Sequence, residues 1–239
     1  MLITSSWDDG HPSDLKLCDL LLKYNVKGTF YVPIKNPENI VMSPSELREL
    51  SNFFEIGGHT FNHVYLDRLN PFNTRNEIQS GKSELENIIQ KNITSFCFPG
   101  GKFKRNDINI VKDLGFKFAR TTKFFNTDSP IDGSYMNTTV QIFGHRSKAY
   151  LFNLLKQRNF KKVVSNICSI KLNHVQIIEN DLSRFNNLKN TCLHFWGHSW
   201  ELDKFNLWYD LEELLKILTN ENHNKYLDNN ELFDSIKPI

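Results

Sequence analysis

The sequence predicts an α/β fold built on parallel strands. Strand-like and helix-like segments alternate over the first two-thirds of the chain, which implies parallel pairing with right-handed crossovers. Apolar residues make up 39% of the chain and aromatics 13%, with 19 Phe, enough to bury a large core and too much for intrinsic disorder. Polar, chemistry-bearing residues fall where the strands end, which is where α/β barrels and open parallel sheets hold their sites. The 239 residues fit one domain over 1–239, because barrel-like α/β folds of roughly 200–250 residues run as single units.

The elements follow in order. Residues 2–7 read as a strand ending in the polar turn Asp8-Asp9-Gly10. Residues 12–24 put Leu15, Cys18, Leu21 and Leu22 at helical spacing. Residues 27–34 (KGTFYVPI) are the second strand. Ser43-Pro44-Ser45-Glu46 is a capping box with proline at the first helical position, so a helix starts there. Residues 53–58 form a short strand that runs into a His-rich turn, and 74–90 a helix turning Ile78, Leu85, Ile88 and Ile89 inward. Residues 93–98 are a strand, 107–114 a helix stopped by Gly115, and 116–121 the next strand. Later strands are predicted at 140–143 and 191–196, and later helices at 147–158 and 207–219. Residues 160–190 fit neither period, and the Asn-rich stretches 186–190 and 220–230 read as loops.

Composition excludes several classes of function. Lys+Arg is 29 and Asp+Glu 27, a formal charge of +2, which makes no electrostatic case for binding nucleic acid or a membrane surface. No apolar run approaches the roughly 18 residues of a transmembrane span. The opening Met1-Leu2-Ile3-Thr4-Ser5-Ser6-Trp7 lacks the basic start and apolar core of a signal peptide, so a cytoplasmic location is expected. Cys18, Cys97, Cys168 and Cys192 are scattered without a C-x-x-C pair and read as reduced, buried thiols. Nothing in the sequence identifies a protein partner.

Four strand ends carry the chemistry. Asp8 and Asp9 are adjacent carboxylates, which repel. At a turn both can reach one pocket, where a divalent cation neutralises one and leaves the other as a base; the same residues also suit a solvated turn or a helix N-cap. His59 and His63 are four apart. On a helical turn they share a face and can chelate one ion, and zinc takes two His and a carboxylate with water in the open position. Alone, H-x-x-x-H fits two unrelated histidines as well; beside Asp8-Asp9 it points to a metal. In Phe98-Pro99-Gly100-Gly101 the proline fixes one φ and the glycines let backbone approach a ligand, so an amide there suits an oxyanion, though the pattern also makes an ordinary turn. His194 and His198 share one side of the last strand. His198, nearest its end, is placed to give a proton to a leaving group, whereas His194 reads as a core histidine. His11, His145, His174 and His223 have no partner spacing.

In that order and spacing, Asp8-Asp9-Gly10, Gly58-His59-Thr60-Phe61-Asn62-His63, Phe96-Cys97-Phe98-Pro99-Gly100-Gly101 and the late His-bearing strand resemble the polysaccharide deacetylase family. This is the NodB-homology domain, carbohydrate esterase family 4. The resemblance covers roughly residues 1–200 and implies a deformed (β/α)7 barrel and a metal-dependent deacylase. It makes Asp9, His59 and His63 the metal ligands and Asp8 the catalytic base. Gly100 becomes the residue whose N–H helps hold the oxyanion, and His198 the general acid, with His194 as fallback. It implies one divalent metal, Zn²⁺ first, with Co²⁺, Ni²⁺ or Mn²⁺ as alternatives, and a carbohydrate or amino-sugar substrate. Pro99, Arg120, Trp196 and Trp200 are expected to line the substrate.

The chain departs from the family pattern twice. The family often has an Arg in the proline-turn motif that steadies the catalytic Asp; Cys97 stands here and is not expected to do so. Arg120, in Phe118-Ala119-Arg120-Thr121-Thr122, is the expected substitute. The family's Asp/Trp motif is not recognisable, since Asp128 and Asp132 lie in the right region without a neighbouring Trp. The segment Trp196-Gly197-His198-Ser199-Trp200-Glu201 resembles a divergent branch. The expected activity is removal of N-acetyl groups from an amino sugar or glycan. The alternatives are a deformylase or amidase acting on another N-acylated small molecule, and an inactive glycan-binding pseudoenzyme.

Overall fold

The computed structural model describes residues 1–122, 131–132, 134–143, 192–220 and 224–236. The chain runs β1 (Leu2–Asp8), α1 (Asp14–Lys23), β2 (Thr29–Val32), α2 (Pro44–Leu50), β3 (Glu55–Gly58), α3 (Pro71–Ile89), β4 (Ser95–Cys97), α4 (Asp107–Asp113) and β5 (Phe118–Arg120). It continues with β6 (Ile131–Asp132), β7 (Tyr135–Met136), β8 (Val140–Ile142), β9 (Cys192–Gly197), α5 (Ser199–Lys204), α6 (Trp208–Thr219), β10 (Lys225–Tyr226) and α7 (Asn229–Ser235). The helix expected at 147–158, residues 160–190, Asp128, Cys168, His145, His174 and His223 lie outside the described residues.

The strands order as β6-β7-β5-β4-β3-β2-β1-β9-β8, with β10 beside the start of β1. Among the described strands every pairing is parallel except β6 with β7. The parallel strands curl into a half-barrel with helices outside, the deformed (β/α)7 architecture expected from the sequence.

The period of two along each strand separates two environments. On β1, Ile3 and Trp7 face outward and pack with Leu17 and Leu21 of α1 and with Leu211, Leu214 and Leu218 of α6 in the main apolar core. Thr4, Ser6 and Asp8 face inward, in register with His194 and Trp196 of β9 and with Thr29 and Tyr31 of β2. The barrel interior is therefore polar above a small apolar plug of Phe118, Met136, Cys192, Leu227 and Leu232. Tyr31 fits inside because its neighbour is glycine: a Cβ on Gly57 would lie 2.4 Å from the Tyr31 ring.

Local signals explain most boundaries. Ser43 and Glu46 cap each other at the start of α2, with Pro44 at the first helical position, as the sequence predicts. The long helix α3 starts three residues before the expected 74, because Asn70 accepts from Asn73 N (2.9 Å) and Pro71 takes the first position. The reading of 220–230 as a loop is corrected. β10 pairs with β1, and α7 is opened by a capping box between Asp228 and Glu231. Its asparagines bond inward rather than to solvent: Asn229 N–H donates to Thr29 Oγ1 and its Nδ2 to the Tyr31 hydroxyl, both at 2.9 Å. Asn230 N–H and Nδ2 donate to Glu55 at 3.0 and 2.8 Å. No described helix is long and apolar enough to cross a membrane.

Candidate active site

A cavity of about 340 Å³, in the size range of small-molecule sites, opens at the carboxyl ends of the strands. Its wall includes Asp8, Asp9, His59, His63, Gly100 and His198, gathered from the ends of β1, β3, β4 and β9.

Asp8 ends β1 on its inward face, and Asp9 follows at φ 82°, in the left-handed region that aspartate tolerates better than most residues. Asp9 N–H donates to Tyr31 O (3.1 Å), which holds the turn and brings both carboxylates to one cavity. His59 and His63 converge by a route other than the expected helical turn. Thr60 and His63 both take positive φ, 66° and 51°, so a left-handed loop brings the imidazoles to a centroid separation of 5.1 Å. α3 anchors that loop: Asn62 N–H and Nδ2 donate to the Glu77 carboxylate at 2.9 and 2.7 Å.

The donor atoms of Asp9, His59 and His63 all lie within 4.8 Å of one another. Asp9 Oδ1 is buried and accepts no hydrogen bond among the described residues, yet His63 Nε2 is 3.1 Å and His59 Nε2 3.7 Å away. His59 Nδ1 lies 2.9 Å from Cys97 O, which fixes that nitrogen as the donor and leaves Nε2 facing Asp9. Burial lowers the His59 pKa to about 4, so the imidazole is neutral at neutral pH, as a ligand must be. Burial raises the pKa of Asp9, but His63, His198 and His59 outweigh it and hold the carboxyl well below its ordinary range. An orphaned, ionised carboxylate oxygen facing two imidazole nitrogens fits a divalent cation.

Asp8 has different neighbours. Arg120 Nη2 donates to its Oδ1, and Cys97 Sγ lies 3.7 Å from its Oδ2. Arg120 does not line the cavity as expected. It is an inward residue of β5, fully buried behind Asp8, with its guanidinium 4.6 Å from the Trp196 ring centre and 5.3 Å from that of Tyr31. Cys97 and Arg120 are register partners, so the guanidinium arrives from the strand next to the one bearing the proline turn. The thiol also contacts Asp8; burial pushes its pKa up, so it stays protonated and brings no charge to steady the carboxylate.

His198 follows β9 in extended conformation, with Nδ1 2.7 Å from Glu201 Oε2 and Nε2 3.9 Å from Asp9 Oδ2. Burial lowers its pKa, but the bond to Glu201 and the charge of Asp9 outweigh this and raise it to about 9. His194 sits deeper in β9, outside the cavity wall, between Ser6 Oγ (2.8 Å) and Asn137 O (3.1 Å), and burial pushes its pKa down to about 3. Gly100, at φ 58°, lines the cavity, whereas Pro99 is buried outside its wall. A Cβ on Gly100 would meet Tyr65 Cε1 at 3.0 Å. Trp196 and Trp200 both line the cavity, and Trp200 Nε1 also donates to Asp9 Oδ2 (2.8 Å). Sequence reasoning missed Glu201, Tyr65 and Glu38. Glu201, three residues after His198 at a helix start, carried the only local signal.

A parallel half-barrel with an Asp/His cluster at its carboxyl-end mouth defines a class of candidate metallohydrolases. Residues 2–119 match the family model described as polysaccharide deacetylase. The chain is 27% identical over 119 residues to the peptidoglycan-N-acetylglucosamine deacetylase of Bacillus cereus, covering 48% of this chain and 54% of that protein. It is 23% identical over 126 residues to YxkH of Bacillus subtilis (strain 168), also named as a polysaccharide deacetylase, covering 52% of this chain and 44% of that protein. It thus spans about half the length of these curated relatives. The family 4 acetyl xylan esterase of Clostridium thermocellum, solved in complex with a cobalt ion, shares the fold at TM-score 0.60 and 15% identity, over 98% of this chain and 91% of that one. The family model, these curated relatives and the shared fold support a divergent NodB-like polysaccharide deacetylase.

Proposed function

We propose that this protein is a metal-dependent hydrolase that removes N-acetyl groups from an amino sugar or glycan. The observation that carries this reading is the division of labour between adjacent aspartates: Asp9 faces two imidazoles, while Asp8 is left beside them against Arg120. Asp9, His59 and His63 are the residues that would hold the metal, Zn²⁺ first. A divalent ion there would supply Lewis-acid polarisation of the acyl carbonyl and make a water nucleophilic at neutral pH.

The chain's own residues do the rest. Asp8 takes the proton of the attacking water, and Arg120 holds its carboxylate in place. The Gly100 N–H donates to the oxyanion that develops on the acyl oxygen. His198, aligned by Glu201 on Nδ1, gives the Nε2 proton to the nitrogen as the C–N bond breaks. One acetate and one free amine leave for each water consumed. Trp196 lines the same cavity and forms an apolar wall for the sugar.

The test is release of acetate or formate from a panel of N-acylated amino sugars, with bound metal measured in parallel. Asp8→Asn is expected to keep the metal and lose activity by about 10²–10⁴-fold. Unchanged turnover in Asp8→Asn removes Asp8 from the base role, and release of formate alone replaces the deacetylase reading with a deformylase.

A further inference from the structure

The two oxygens of Asp9 are treated differently. Oδ1 is buried, accepts no hydrogen bond among the described residues and faces the imidazoles of His63 and His59 at 3.1 and 3.7 Å. Oδ2 accepts the indole N–H of Trp200 at 2.8 Å. An indole nitrogen is a donor only and cannot ligate a cation, so its bond to Oδ2 selects which oxygen is left to do so. Without that donor the carboxylate can turn about its last side-chain torsion, which is broad, and offer either oxygen or both.

The indole is well held. Trp200 lies in the first turn of α5, its ring 5.5 Å from that of His198, with Lys204 Nζ 5.5 Å from the ring centre. Asp9 is fixed from the backbone side as well, by its positive φ and its N–H bond to Tyr31 O. One helical turn after β9 therefore addresses two parts of the site: Glu201 holds His198, and Trp200 holds Asp9.

We infer that Trp200 is a positioning residue for the metal-ligating carboxylate, its N–H pinning Asp9 so that Oδ1 alone is presented to the ion. This adds a second task to its expected place beside the substrate, since the ring also lines the cavity. The inference rests on the reading of Asp9, His59 and His63 as metal ligands. Removing a partner that orients a ligand weakens metal affinity by about 10–100-fold.

The experiment is a Co²⁺ titration of the full chain followed by visible absorption, for the wild type, His63→Ala, Trp200→Phe and Trp200→Gln, with the melting temperature of each metal-free protein. Trp200→Phe keeps the ring and loses the N–H. It is expected to melt with the wild type, bind Co²⁺ about 10–100-fold more weakly and show an altered d–d band as Asp9 turns. Trp200→Gln returns an N–H donor without the ring and is expected to recover part of the affinity. Wild-type affinity and spectrum in Trp200→Phe, with binding lost in His63→Ala, overturn the positioning role and leave the metal site standing. A wild-type chain that binds no Co²⁺ overturns the metal reading, and the inference with it. The indole ¹⁵N–H resonance of Trp200 in the unmutated protein gives a readout that no folding defect can obscure. Slow exchange with solvent is expected, and rapid exchange overturns the bond.

Discussion

Two neighbouring aspartates, equally buried at 3% exposure, are set to different tasks by what surrounds each carboxylate. Asp8 meets a guanidinium and a protonated thiol; Asp9 meets imidazoles and an indole. Arg120 is buried with Asp8, so breaking that pair leaves an uncompensated charge inside the barrel. Arg120→Met is expected to destabilise the fold by about 3–5 kcal/mol, measured by denaturant unfolding. The double variant Arg120→Met/Asp8→Asn is expected to recover part of that loss; if it is no more stable than Arg120→Met alone, the stabilising role of Arg120 lies elsewhere. Asp9, His59 and His63 were legible as candidate ligands because each stands at a strand end, in the order the resemblance requires. The indole bond of Trp200 was not, because a side chain's partner across 191 positions leaves no mark on local spacing. The path of Arg120 to Asp8 was legible as an expectation, whereas its burial behind the cavity was not.

At the scale of elements, capping chemistry proved the most readable signal and asparagine the most misleading. The box at Ser43 and Glu46 marks α2 as the sequence says, and the same device at Asp228 and Glu231 opens a helix inside a stretch that reads as loop. Asparagine is usually a turn residue. Here Asn229 and Asn230 satisfy Tyr31, Thr29 and Glu55 in the polar barrel interior, a role that only the folded sheet creates. Asp228→Ala removes the cap and is expected to cost about 1 kcal/mol, a fall in melting temperature of about 2–4 °C. A melting temperature equal to the wild type would mean that α7 is held by its apolar plug alone. The convergence of His59 and His63 belongs to this scale too. Spacing of four suggested a helical turn, and two left-handed residues achieve the same end.

For the molecule as a whole, the alternation of strand and helix was enough to predict a parallel sheet, and the polar strand ends predicted where its site lies. What the alternation did not show is that the inner face of β1 is polar along its length, with Thr4, Ser6 and Asp8 all buried. The curl of the sheet carries Asp9 and the two histidines, about 50 residues apart in sequence, to within reach of one ion. Anomalous diffraction at the zinc edge from crystals of the full chain grown with Zn²⁺ tests this most directly. The expected result is one peak at about 2.0–2.2 Å from Asp9 Oδ1, His59 Nε2 and His63 Nε2, with Asp8 unligated beside it. A map with no peak among those three atoms, or with zinc held by other residues, would contradict it.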